Sequence, residues 1–244
     1  MRILNLSLPS PTDNLALDEA LLDACESGEA GPDGVLRFWE SPVHFAVLGY
    51  SDKAAVEVRT ELCRRDGVPV LRRCSGGGAV LQGPGCLNYS LVLPIPKDGP
   101  LRDISRSNGH IMGLHTRALT PLLGPELCQQ GLSDLALGNM KISGNAQRRR
   151  RRFLLFHGTL LHDFNLPLIE RFLPMPIRQP DYRKNRSHLE FLTNVPVSAE
   201  KLKKALADCW GAKEQFGEIP WANVANLVAQ RYGNDDWNLP GRPA

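Results

Sequence analysis

Arg72 and Arg73 stand just before Ser75 and three consecutive glycines, Gly76, Gly77 and Gly78, in the segment RRCSGGGAVLQGPGCLNYS (72–90). Glycine adopts backbone conformations closed to other residues and lets a ligand approach the main chain closely. Exposed amides flanked by guanidinium groups suit a phosphate or a carboxylate. A glycine-rich bulge with two surface arginines is the other reading of the same residues. A further cation, Lys141, lies in GNMKISGNAQ (138–147), with Gly144 soon after it. An ammonium pointing from a strand into a cleft would neutralise a carboxylate or phosphate as charge moves in a transition state. The same lysine facing solvent would do nothing. His157 opens HGTLL (157–161) and His162 follows it. Either is a general base or a hydrogen-bonded structural histidine. Cys128, in LCQQGLSD (127–134), is either a nucleophile activated by a nearby lysine or an inert buried thiol.

Those side chains need elements to carry them. Apolar residues at helical spacing predict a helix over 15–25, with Thr12, Asp13 and Asn14 available to cap it. Residues 35–50 read as two strands joined at Ser41-Pro42. A helix over 57–67 ends at Gly67, and strands follow over 68–73 and 87–95. The pattern over 103–123 is helical, ending near Pro121 or Gly124. Next comes a hairpin whose arms carry Lys141 and His157 and whose turn is rich in arginine. Helices over 199–210 and 220–232 close the chain, and 180–185 reads as the one loop insertion. Helices and strands mix without regular alternation, which predicts α/β or α+β architecture with a mixed sheet.

The bulk properties narrow the function. The chain has 244 residues, enough for a sizeable core, with 42% hydrophobic and 23% charged residues. A formal net charge of +3 is too small to imply nucleic acid or membrane binding. No apolar run would span a bilayer, and the N-terminal MRILNLSLPSPTDN lacks an apolar signal core, which reads as cytoplasmic. The six cysteines form no C-x-x-C pair and no zinc-ligand spacing, so reduced thiols are expected. The arginine run at 148–152 suits RNA, an acidic protein or a solvated turn, but no interleaved aromatics support base stacking. The common nucleotide, serine-nucleophile and zinc-protease signatures are missing.

Taken together, NLALDEALL, RRCSGGGAV, LNYS, KISGNAQ, HGTLL and YGNDDWN, in that order, resemble the lipoate-protein ligase family, within the biotin/lipoate ligase and octanoyltransferase superfamily. The resemblance implies a mixed central β-sheet flanked by helices, related to the catalytic core of class II aminoacyl-tRNA synthetases. It implies one catalytic domain over 1–244, too short for the C-terminal accessory domain of longer ligases. It implies activation of lipoate by ATP with Mg²⁺ to lipoyl-AMP, then transfer to a lysine of a lipoyl domain. By that resemblance Lys141 is catalytic, contacting the acyl carboxylate and α-phosphate. Arg72, Arg73, Ser75, Gly76, Gly77, Gly78, Ala79, Val80, Leu81, Asn88, Asp134 and His157 would bind the ligands, and Leu87 would help to line the acyl groove. The implied acceptors are lipoyl domains of 2-oxoacid dehydrogenases, the glycine-cleavage H protein or a lipoate-binding protein, with a separate accessory polypeptide as a further partner.

The chain also departs from the family. Gln82-Gly83 replaces a histidine-aspartate pair, and QGPGC (82–86) resembles the HGPGQ turn of octanoyltransferases. Cys86 stands where many ligases have asparagine, and Ser133-Asp134 replaces an Asn-Asp pair. Cys128 lies near the place of one octanoyltransferase branch's catalytic cysteine. Two alternatives follow: an ATP-independent octanoyltransferase using Cys128 and octanoyl-acyl carrier protein, and a non-catalytic module that binds lipoyl domains.

Overall fold

The computed structural model describes residues 1–240. Its strands are β1 (Arg2–Asn5), β2 (Val35–Trp39), β3 (Phe45–Leu48), β4 (Val70–Arg72), β5 (Val80–Gln82), β6 (Cys86–Pro94), β7 (Leu127–Gln130), β8 (Asp134–Leu137), β9 (Met140–Arg149), β10 (Phe153–Leu161) and β11 (Glu214–Gln215). Eight of them form one mixed sheet in the order β11-β1-β2-β6-β10-β9-β8-β7, and three form a small sheet, β4-β3-β5. The pairings β11/β1, β1/β2 and β3/β4 are parallel; the others are antiparallel. The expected mixed sheet with flanking helices is what the chain forms.

Side chains alternate across a strand, so each central strand feeds two cores. On β10, Phe153 and Leu155 join the core under helix Pro11–Ser27, while Leu154, Phe156 and Leu160 join the opposite core. That second core packs beneath helices Ile104–Leu123 and Ala199–Trp210. Helix Pro11–Ser27 buries eleven of its 17 residues, because the chain's C-terminal helices cover its outer side. Each fully buried leucine there contributes roughly 1.5–3 kcal/mol. No helix among the described residues is long and apolar enough to cross a membrane.

Several local expectations change. Helix Pro11–Ser27 begins earlier than its apolar pattern, because Pro11 presets the first turn. Thr12, Asp13 and Asn14 therefore lie inside it, and Asn14 fastens the incoming chain by bonds to Leu8 N (3.0 Å) and Leu8 O (2.8 Å). Residues 220–232 form an α-helix, Trp221–Leu227, continued by a π turn, Val228–Tyr232. The arginine run is not a free turn. Arg148 and Arg149 belong to β9, and Arg150 bonds Asp23 at 2.9 Å. Leu87 faces the core under helix Ile104–Leu123, not the cleft, because its neighbour Asn88 takes the cleft side of β6.

Candidate active site

A cleft of about 790 Å³ opens where the small sheet meets β6, β9 and β10. The glycine segment lies between β4 and β5 and forms part of its wall. Arg73, buried behind this segment, donates from Nη2 to Gly76 O (2.6 Å) and Gly78 O (2.9 Å). Burial lowers its pKa to about 10, so it stays a cation at neutral pH. With those carbonyls held, the amides of Gly76, Gly77 and Gly78 donate to no acceptor among the described residues. Free amides in a turn beside a buried cation make an anion-binding concavity. Gly77 has φ 88°, and a Cβ there would stand 2.9 Å from the Arg73 guanidinium.

Across the cleft, Lys141 Nζ meets Asp134 Oδ1 at 2.9 Å. The β8/β9 register slips between Leu135 and Ala136, so Lys141 pairs with Ala136 while Ser143 pairs with Leu135. A bulge of this kind re-aims the adjacent side chain. Here Lys141 lines the cleft with its side chain a quarter exposed. Asn145, on the same strand, accepts from the Tyr89 hydroxyl at 2.5 Å and donates to Ser133 O at 2.6 Å. Only glycine fits at 158, where a Cβ would meet Asn145 Oδ1 at 1.6 Å.

The third wall descends from helix Pro11–Ser27. Asp18 is buried beside Arg37, Oδ1 to Nη1 at 2.6 Å, and accepts from Trp39 Nε1 at 3.3 Å. Burial works to raise its pKa, but the Arg37 charge and His157 outweigh burial and hold the carboxyl below its ordinary value. His157 Nδ1 lies 3.9 Å from Asp18 Oδ2, and His157 Nε2 is 2.5 Å from Ser75 Oγ. Alternation on β10 and β2 places His157 and Arg37 on the same side as this helix.

The structure thus brings Arg73, Gly77, Gly78, Ala79, Val80, Leu81, Asn88, Asp134, Lys141 and His157 to one cleft. Arg72 is not at this wall. It points inward and donates to carbonyls of Gly49 (2.7 Å), Asp52 (2.8 Å), Trp237 (2.9 Å) and Asn238 (3.0 Å). Ser75 and Gly76 do not line the cleft: Ser75 is buried and turned onto His157, while Gly76 is exposed and gives its carbonyl to Arg73. Cys128, on β7 near Gly138 O at 3.9 Å, does not line the cleft itself, but Gln130 on the same face of the strand does and donates to its Sγ at 3.7 Å. Sequence reasoning missed Asp18, Asn145 and Tyr182 as cleft residues. Asp18 and Asn145 sit inside the quoted segments NLALDEALL and KISGNAQ, whereas Tyr182 had no motif to mark it.

Leu15, Val80, Leu81, Leu161, Ile169 and Leu173 give the cleft an apolar lining suited to an aliphatic chain. The glycine amides and Lys141 suit anions such as a carboxylate and phosphates. Among the described residues no group of three His, Cys, Asp or Glu is placed to hold a metal ion. Magnesium commonly takes most of its contacts from substrate phosphates and water, so it would enter with a nucleotide.

Known proteins resemble this chain along most of its length. A protein of Aeropyrum pernix assigned as a lipoate-protein ligase A is 32% identical over 88% of this chain and 76% of its own. The octanoyltransferase LipM of Kyrpidia tusciae is 27% identical over 97% of both chains. Among solved structures, a bipartite lipoate protein ligase of Thermoplasma acidophilum, described with its E2 lipoyl domain, superposes with a TM-score of 0.83. It is 25% identical and the match covers 100% of this chain and 97% of that one. A lipoate-protein ligase A bound with ATP superposes with a TM-score of 0.78 at 25% identity, covering 98% of both chains. The family model for the lipoyl protein ligase A/B catalytic domain matches residues 10–210, and the chain belongs to that family.

Proposed function

We propose that the protein is a lipoate–protein ligase that joins lipoate to the α-phosphate of ATP and passes the acyl group to a lysine of a lipoyl domain. One observation carries this reading: the Lys141 ammonium and the unpaired amides of Gly77 and Gly78 border one cleft with an apolar lining. Adenylation brings two anions together, so its transition state needs positive potential at the point of attack. Lys141 supplies a mobile cation, Arg73 a fixed one, and the glycine amides directed dipoles. Mg²⁺, arriving with the nucleotide, would offset the charge of the departing pyrophosphate. The leucine-rich lining excludes water from the mixed anhydride, which would otherwise hydrolyse. The ATP-bound relative supports the nucleotide, and the Thermoplasma relative supports a lipoyl domain as acceptor and a second polypeptide as helper.

The relatives named octanoyltransferase favour a second reading, transfer from an octanoyl thioester without ATP. That Cys128 does not line the cleft speaks against it. The test supplies lipoate, ATP, Mg²⁺ and an apo lipoyl domain, and in parallel octanoyl-acyl carrier protein without ATP. ATP-dependent lipoylation is the expected result. Octanoylation without ATP that Cys128→Ser abolishes would replace the ligase reading with the transferase.

A further inference from the structure

We propose that Tyr182 is a positioning residue that fixes the Lys141 ammonium by holding Asp134. The role assigned to Lys141 rests on the adenylation reading above; the geometry of the three residues does not.

Asp134 has two oxygens and both are taken. Oδ1 holds Lys141 Nζ at 2.9 Å, and Oδ2 accepts from the Tyr182 hydroxyl at 2.8 Å. All three residues line the cleft. Burial, with the Asp134 carboxylate beside it, pushes the Tyr182 phenol well above its ordinary pKa, so the hydroxyl keeps its proton and remains a donor. A carboxylate tied at one oxygen alone can swing about its side-chain torsions and carry the ammonium with it. Tied at both, it has one orientation, and the four-carbon lysine stem inherits that restriction.

Tyr182 is itself firmly seated. It lies in the short turn Asp181–Arg183, which is followed by two left-handed residues, Lys184 (φ 52°) and Asn185 (φ 58°). Its ring packs against Phe191 with centroids 5.0 Å apart. A Cβ placed on Gly131 would lie 3.8 Å from Tyr182 Cε1, so the β7–β8 turn leading to Asp134 passes near the same ring. Just after Phe191, Leu192 forms a bridge to Lys141 and Thr193 N donates to Lys141 O at 3.0 Å. The segment carrying Tyr182 therefore grips Lys141 at both ends, by the backbone through Thr193 and by the ammonium through Asp134.

A displaced catalytic group loses rate far more than it loses ligand affinity. Tyr182→Phe keeps the ring and its packing while deleting the bond. Expected is a fall of about 10- to 100-fold in kcat for lipoate-dependent pyrophosphate release, with KM for ATP changed less than about 2-fold. In an Asp134→Ala background, Tyr182→Phe should cause no further loss, because the carboxylate through which it acts is gone. A second measurement does not depend on activity. Lysines are reductively methylated with ¹³C-formaldehyde, and the Lys141 resonance is assigned by its disappearance in Lys141→Arg. In Tyr182→Phe that resonance should move or broaden. Unchanged kcat with an unchanged resonance overturns the proposal, as does an equal loss from Tyr182→Phe in the presence and absence of Asp134. If the unmodified protein releases no pyrophosphate, the adenylation reading fails, and the Lys141 resonance alone decides the positioning claim.

Discussion

The carboxylate of Asp18 and the guanidinium of Arg37 meet at 2.6 Å with both side chains almost wholly withdrawn from solvent. Breaking such a pair leaves a buried charge uncompensated, at a cost of about 3–5 kcal/mol. Asp18→Ala should therefore lower the urea midpoint sharply with little change in the slope of the transition. The pH dependence has a definite sign. The folded-state pKa of Asp18 lies below its unfolded value of about 4, so its stabilisation is complete above that pH and is lost as pH falls through the folded value. Asp18→Asn should be less stable than the unmodified protein at pH 7, yet lose less stability between pH 4 and pH 3. Parallel acid profiles in urea titrations would show that this carboxylate does not govern the acid limb.

Arg72 and Arg73 are neighbours with different duties. Arg72→Met should destabilise by roughly 3–5 kcal/mol, because several buried carbonyls lose their donor at once, each worth about 1–3 kcal/mol. At a temperature where the variant is still folded, lipoate and ATP should bind almost as before, since Arg72 does not line the cleft. Calorimetric titration beside thermal unfolding separates the two effects.

Gly77→Val should abolish ligand binding. The position has φ 88°, and the first side-chain atom would press on Arg73 at 2.9 Å. The left-handed backbone alone costs on the order of 1–3 kcal/mol for a residue with a side chain. Calorimetric titration with lipoate and with a non-hydrolysable ATP analogue should show at least about a 10-fold loss of affinity, a free-energy change of about 1.4 kcal/mol.

Lys141→Ala should end acyl adenylation while leaving the unfolding free energy within about 1 kcal/mol, the range of a partly exposed ion pair. Lipoate-dependent exchange of labelled pyrophosphate into ATP measures the first quantity and chemical denaturation the second. Near-normal exchange would move the catalytic cation elsewhere in the cleft.

The sequence made the carriers legible and left the directions open. Lys141, His157 and the glycines could be placed on a hairpin and a turn because period-two alternation and glycine runs are local signals. The choice between Leu87 and Asn88 for the cleft was not local: it depends on which face of β6 is covered by helix Ile104–Leu123. Arg72 looked like a ligand residue because residues just after it line the cleft. Two of its partners, Trp237 and Asn238, stand more than 160 residues away, a separation that no local pattern spans. Tyr182 escaped for a similar reason, since only the folded chain brings its turn onto Asp134. The aim of Lys141 depended on a bulge, and a one-residue slip leaves no mark in composition.

The clamp around Arg72 also sets an order of assembly. Its guanidinium gathers Gly49 and Asp52 from one side and Trp237 and Asn238 from the other, while Trp237 Nε1 donates back to Arg72 O at 3.0 Å. A ribosome delivers residue 72 long before residue 238, so during synthesis the arginine waits with half of its acceptors missing. The strand that leads into the glycine turn is then tied down on this side only after Trp237 and Asn238 dock, while the turn itself is held by Arg73. Order at this end of β4 is in this sense contingent on chain that emerges more than 160 residues later.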